Sequence, residues 1–228
     1  MFFRVTLRQK YEQSRNIVAK AVGCKPENLL FVENVTDGMN CVFTSMLRGY
    51  HDDDAVLITS LAYSAVTKTA VYHTKKCGVK LITLDIEFPV HSEEDICEAF
   101  RKVLKKNKEI KMAVFDHICS ATAVMMPVQK IAAICREFGV MSVVDGAHAP
   151  GQLHLNLEDI GADVYIGTQS CLWDVCRYII LLQNHHYILH YCILLCKYCF
   201  VFLCTDFIVH SNVFASVIIK NKRYCNAY

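Results

Sequence analysis

Short apolar segments alternate with longer amphipathic segments along the chain up to about residue 170. The apolar segments are hydrophobic at consecutive positions, which is typical of strands buried on both faces of a sheet. The predicted strands are 28–34, 55–60, 79–85, 110–117 and 140–148, with a last strand at the end of 157–167. Amphipathic helices between such strands indicate an α/β fold, with a mostly parallel sheet and helices on both faces.

Capping residues indicate where the predicted helices begin and end. Thr36 or Asp37 is placed to cap one helix, and Gly49 is placed to end it. Ser92 is placed to cap another helix, with acidic residues in its first turn and lysines in its last, an order that suits the helix dipole. Since ligands of parallel sheets bind beyond the carboxyl ends of the strands, we expect functional residues directly after each strand.

The composition fits a packed globular domain. The chain has 228 residues, of which 54% are hydrophobic and 20% are charged, with a formal net charge of +2. This balance gives no argument for nucleic-acid binding. The N-terminal residues have no long apolar stretch and no small-residue cleavage site, so we expect no signal peptide and a cytoplasmic protein. We accordingly expect the six cysteines before residue 170 to be reduced and mostly buried.

The composition changes near residue 170, which divides the chain into a domain over 1–170 and a tail over 171–228. Seven of the 13 cysteines lie in the tail, and no glycine or proline follows Gly167. The apolar tail is predicted to have an unrelated or artefactual origin, such as read-through into a noncoding segment.

Two other interpretations of the tail stay open. Residues 187–204 are long enough to span a membrane. Burying Lys197 near the middle of this segment would cost ~3 kcal/mol, which disfavours a membrane span. Cys196 and Cys199, with Cys192 and His190, could form a metal or redox site. These spacings lack the second ligand pair of usual zinc sites, so we predict no metal.

Polar residues follow the first two predicted strands. Thr36, Asp37 and Gly38 would place a hydroxyl and backbone N–H groups at a helix N-terminus, which is a favourable site for a phosphate. The same residues could equally form an ordinary helix cap. Tyr63 follows the next strand and would lie over the edge of the sheet, where a single tyrosine is usually a packing residue.

Two later strands are followed by residues whose side chains could take part in binding or catalysis. Ser120 and Thr122 follow the strand that ends at Asp116 and are possible hydroxyl donors. Asp145 comes directly after an apolar run, with His148 three residues later. An acid in this position can hold a proton on a heteroaromatic nitrogen, and could also be a helix cap or a metal ligand. No Gly-x-Gly-x-x-Gly or Walker pattern is present.

These segments, in this order, resemble the class V aminotransferase family. The motifs that carry the resemblance are ENVTDGMN, SLAYSA, FDHICSATAVMMPVQKI, VVDGAHAPGQL and GADVYIG. The resemblance covers about residues 8–168. It implies that residues 1–170 are an incomplete large domain of a fold-type I enzyme dependent on pyridoxal 5'-phosphate (PLP), similar to isopenicillin N epimerase-like and L-cysteine desulfhydrase-like members. It also implies an amino-acid substrate and a homodimer.

The resemblance assigns cofactor-binding roles to individual residues. Asp145 matches the acid that pairs with the pyridine nitrogen and keeps it protonated. His148 matches the position near the phenolic oxygen of the ring, and Tyr63 matches the aromatic residue that stacks on its face. The phosphate is assigned to Thr36, Asp37 and Gly38, and a polar contact to Ser120 or Thr122.

One residue of the family pattern is missing. Members have a lysine a few residues after the GAD-x-Y-x-G strand, and this lysine bonds covalently to PLP and moves the substrate's proton. In an alignment without gaps, Cys171 occupies that position, and the first lysine after Lys130 is Lys197. A thiol cannot form that bond or act as the same base. We therefore predict a truncated, catalytically inactive homologue of a lyase- or epimerase-like enzyme, the alternative being a membrane-tethered or partner-binding protein that reuses the fold.

Overall fold

A computed structural model describes residues 6–168 and the backbone of 216–218. The helices are α1 (Leu7–Val22), α2 (Val35–Met46), α3 (Ser64–Cys77), α4 (Glu93–Lys106), α5 (Val128–Glu137) and α6 (Leu157–Ile160). The strands are β1 (Phe31–Val32), β2 (Ala55–Thr59), β3 (Lys80–Leu84), β4 (Ile110–Asp116), β5 (Met141–Gly146), β6 (Val164–Thr168) and β7 (Ser216–Ile218). They form one sheet in the order β1-β7-β6-β5-β4-β2-β3.

Five of these strands, β3-β2-β4-β5-β6, are parallel, which confirms the predicted α/β fold. Every residue of β2 and β5 is buried, as their continuous apolar runs require. At the end of the sheet, only Leu84 of β3 is fully buried, and its other residues are exposed or partly buried. β7 pairs antiparallel with both β6 and β1, so β1 runs in the same direction as the five parallel strands.

The first helix after β1 begins two or three residues earlier than the sequence pattern indicated. The N-cap of α2 is Asn34, whose side-chain oxygen accepts a 2.8 Å hydrogen bond from the Asp37 amide. The prediction that Thr36 or Asp37 caps this helix is therefore wrong. An asparagine in extended conformation just before the helix places its side chain over the first turn, and Thr36 and Asp37 lie inside that turn.

The predicted start of α4 is confirmed, but Gly49 does not end α2, because α2 ends at Met46 and a 3-10 turn over Leu47–Gly49 follows. Ser92 caps α4 and forms a reciprocal capping box with Asp95. Gly78 ends α3 with a φ of 73°, a conformation that favours glycine. The predicted strand at 28–34 is shorter than expected, because residues 26–28 form a 3-10 turn that begins at Pro26.

The core lies between the sheet and its helices, and it takes in most of the cysteines in the described part of the chain. Cys41, Cys97, Cys119 and Cys135 are buried, and all six described cysteines are free thiols, as predicted. Among the described residues, no helix is long and apolar enough to cross a bilayer. The predictions about residues 187–204, Cys192, Cys196 and Cys199 lie outside the described residues, and the division at residue 170 stays a prediction.

Candidate functional site at the carboxyl edge of the sheet

The buried carboxylate of Asp145 lies near the C-terminal end of β5. Its side chain is 4% exposed, and its Oδ1 accepts a 2.9 Å hydrogen bond from the Ala147 amide. Burial raises the pKa of Asp145 to about 6, while the Ala147 N–H and the nearby His148 oppose part of this rise. At neutral pH this group is therefore mostly ionised, as an acid that pairs with a cationic nitrogen must be.

A second buried acid, Asp116, ends the neighbouring strand β4. Asp116 and Asp145 are register partners, so the two carboxyl groups leave the sheet on the same face. Burial and the charge of Asp145 raise the pKa of Asp116 to about 8. The Cys119 thiol and the Tyr63 backbone lie close enough to oppose part of this rise, but neither forms a hydrogen bond of normal geometry with the carboxyl oxygens.

A buried hydrogen bond between His117 and Tyr165 lies beside Asp145. The His117 Nδ1 lies 2.9 Å from the Tyr165 hydroxyl, and the His117 amide donates a 2.7 Å hydrogen bond to the Asp145 carbonyl. Burial lowers the pKa of His117 to about 4, so its ring is neutral. Gly146 gives the Tyr165 ring its space, because a Cβ at this position would overlap the ring.

The turn after Asp145 is held from the last parallel strand. The Thr168 hydroxyl at the end of β6 donates a 2.7 Å hydrogen bond to the Ala147 carbonyl. The Ala149 amide closes the turn on the Gly146 carbonyl. This arrangement leaves His148 exposed beside the buried acid, where its charge acts on the Asp145 carboxylate.

The start of α2 lies at the same edge of the sheet, because α2 follows β1 and β1 runs parallel to β6. Of the amides assigned to a phosphate, that of Asp37 bonds to the Asn34 side chain and that of Gly38 to the Asn34 carbonyl. The Thr36 amide is left as one of the helix's N-terminal donors without a partner inside the helix. Burial and the neighbouring Glu33 raise the pKa of Asp37.

Three other predicted residues are exposed at the same edge. Tyr63 is 50% exposed and directly precedes α3, with its backbone beside Asp116. Ser120 and Thr122 lie in the turn after β4, where the Thr122 hydroxyl accepts a hydrogen bond from the Val124 amide. The Ser120 side chain is exposed.

The structure thus places the predicted cofactor-binding residues at or just beyond the carboxyl ends of the strands. Cys171 lies outside the described residues. Sequence reasoning missed Asp116, His117, Tyr165 and Gly146. Asp116 carried a usable signal, since it ends an apolar strand just as Asp145 does.

Known proteins share both the sequence pattern and the fold. Residues 3–169 match the aminotransferase class-V family. L-cysteine desulfhydrase of Arabidopsis thaliana is 31% identical over 72% of this chain and 39% of its own length. Isopenicillin N epimerase of Amycolatopsis lactamdurans is 27% identical over 68% of this chain and 39% of its own. This chain therefore spans about two fifths of the length of the curated relatives it matches.

A solved structure extends the likeness to three dimensions. A variant of C-DES with glycine covalently linked to its PLP cofactor superposes with a TM-score of 0.63 at 19% identity, over 72% of this chain and 42% of that one. At this identity the likeness shows the fold alone. The described part of this chain therefore shares its fold with C-DES. By its sequence, the chain belongs to the aminotransferase class-V family.

Proposed function

We propose that this chain binds PLP at the carboxyl edge of its sheet, with Asp145 as the acid that pairs with the ring nitrogen. The observation that carries the proposal is the buried, mostly ionised Asp145 in a turn fixed by the Ala147 amide and the Thr168 hydroxyl. When bound, PLP supplies an electron sink for amino-acid chemistry. The residues of this chain bind and orient the cofactor.

The remaining predicted residues suit the other parts of the cofactor. Tyr63 is free to cover a ring face, since half of its surface is exposed. His148 and either Ser120 or Thr122 are exposed polar groups that can contact ring substituents. The amide and hydroxyl of Thr36 at the start of α2 can hold the phosphate.

The phosphate end also contains features that weaken binding. The Asp37 and Gly38 amides already have partners within the cap, and the carboxyl groups of Glu33 and Asp37 lie close to each other there. Negative charge near a phosphate opposes its binding. We therefore expect PLP to bind reversibly and weakly.

We further propose that the chain does not carry out the lyase or epimerase chemistry of its relatives, because it has no lysine at position 171. The residue there is cysteine, and no lysine occurs between Lys130 and Lys197. A primary amine at this point both links the cofactor and moves a proton, and acid–base help of this kind is worth roughly 10²–10⁴ in rate. A thiol supplies neither function.

Borohydride fixation with peptide mapping tests this proposal. The full chain is incubated with PLP, reduced and digested, and sulfide release from L-cysteine is measured in parallel. We expect no fixed adduct in the peptide that contains Cys171 and no sulfide release, whereas Cys171→Lys should gain an adduct there. A stoichiometric adduct at another lysine, together with sulfide release by the unmodified chain, would contradict the proposal.

A further inference from the structure

Two buried carboxyl groups lie next to each other at the carboxyl edge of the sheet. Asp116 and Asp145 are paired in register at the ends of adjacent parallel strands, and their residues are 3% and 4% exposed. Side chains at register partners emerge on the same face of a sheet. Two buried carboxylates so close together cannot both ionise without a large electrostatic cost.

The surroundings decide which of the two acids ionises first. Asp145 accepts a hydrogen bond from the Ala147 amide and has His148 nearby, and both favour its charged form. Both carboxyl oxygens of Asp116 are buried and have no hydrogen-bond partner among the described residues. The other titratable groups that face this pair are the Cys119 thiol and the Tyr165 phenol, which are both neutral at physiological pH.

We propose that Asp116 is a positioning residue of this site, which keeps its proton while Asp145 is ionised and so leaves the pair with a single negative charge. One negative charge matches one protonated ring nitrogen, whereas two would leave an uncompensated charge in a buried place. Burial and the charge of Asp145, which raise the pKa of Asp116 to about 8, agree with this order of ionisation. Only the identity of the ligand rests on the proposed function.

A titration without cofactor tests the pair directly. Carboxyl-carbon NMR of the full chain, labelled at aspartate, is recorded across the pH range for the parent, Asp116→Asn, Asp145→Asn and the exposed control Asp85→Asn. We expect one carboxyl resonance to stay protonated at neutral pH in the parent and in the control, and to be missing from Asp116→Asn. In Asp145→Asn the midpoint of Asp116 should fall, because the neighbouring charge is gone.

An Asp116 that is ionised at neutral pH, or whose midpoint does not move in Asp145→Asn, would overturn the proposal. PLP affinity at neutral pH gives a second readout. Asp145→Asn should lose about tenfold or more in PLP affinity, and Asp116→Asn, a neutral mimic of the protonated acid, should lose less than Asp145→Asn does. Equal losses in the two variants would also overturn it. If no variant and no parent binds PLP, the proposed function fails, while the NMR titration still decides the charge of the pair.

Discussion

Asp145 shows how far a single residue can be interpreted from sequence. An acid that directly follows an apolar strand had to lie at the carboxyl edge of a parallel sheet, and it does so. Asp116 has the same local pattern, but its importance comes from register with Asp145, which the sequence does not state. His117 and Tyr165 are 48 positions apart, and only the pairing of β4, β5 and β6 brings them together.

The raised pKa of Asp116 predicts a pH-dependent stability. An aspartate in the unfolded chain loses its proton near pH 4, whereas folded Asp116 keeps it up to about pH 8. Between these values the folded state binds more protons, so the free energy of unfolding falls as pH rises. The neutral His117 acts in the opposite direction, but only between its folded pKa of about 4 and its unfolded value of 6.5.

From about pH 6.5 to 8, the fall in stability should therefore come mainly from Asp116, at about 1 kcal/mol per pH unit. Urea denaturation at several pH values measures this slope. Asp116→Asn should flatten it, and Asp85→Asn, at an exposed position, should leave it unchanged. An identical slope in the parent and in Asp116→Asn would show that Asp116 does not retain a proton in the folded protein.

Gly146 should be intolerant of any side chain. In Gly146→Ala, the new methyl group would overlap the Tyr165 ring, which is fully buried and cannot move aside. We expect a loss of about 2 kcal/mol or more in the free energy of unfolding, measured by chemical denaturation. Gly139→Ala is the control: its φ is +69°, but an added Cβ would meet open space, so the change should cost only about 1 kcal/mol. Equal losses would mean that the ring does not constrain position 146.

At the scale of elements, strong local sequence patterns predicted helices and strands correctly, whereas weak patterns did not. The Ser92 cap of α4 and the apolar runs of β2 and β5 were predicted correctly. Helix α1 was not predicted, since only Leu7, Val18, Ala19 and Val22 are buried along its 16 residues and no side chain caps its start. An apolar stripe this sparse gives little helical periodicity.

The cap of α2 links an element to the proposed cofactor site. Asn34→Ala removes the hydrogen bond to the Asp37 amide and should cost about 1 kcal/mol in stability. It should also change PLP affinity, because the first turn of α2 is the proposed phosphate site. Ser92→Ala is a matched control, since it removes a cap from α4, which follows the edge strand β3.

The two variants should lose similar stability in thermal or chemical denaturation, but only Asn34→Ala should alter PLP binding in equilibrium dialysis. If both alter PLP binding to the same extent, the effect comes from general destabilisation. The start of α2 would then have no specific part in holding the phosphate.

At the scale of the whole molecule, the sequence indicated a break near residue 170, yet β7 from the segment beyond it pairs with β6 and β1. The change in composition could not reveal this pairing, because a strand in mid-sheet and an unrelated apolar segment have the same residue types. The pairing has a direct test. Val217 is opposite Phe31 on one side and Gly167 on the other.

Val217→Pro removes an amide from this ladder and should destabilise the fold by about 1–3 kcal/mol. Val217→Thr keeps the amide and a branched side chain, so it should cost much less. Chemical denaturation of the full chain compares the two variants. Indistinguishable transitions for Val217→Pro and the parent would show that this strand pairing does not contribute to the stability of the domain.

The central claim is that this chain binds PLP through Asp145 at the carboxyl edge of its sheet. Equilibrium dialysis of PLP against the full chain at neutral pH, in parallel with Asp145→Ala and the exposed control Asp85→Ala, tests it most directly. We expect saturable, reversible PLP binding by the parent and the control. PLP affinity should fall about tenfold or more in Asp145→Ala. Undiminished affinity in Asp145→Ala would remove this acid from the site and contradict the account.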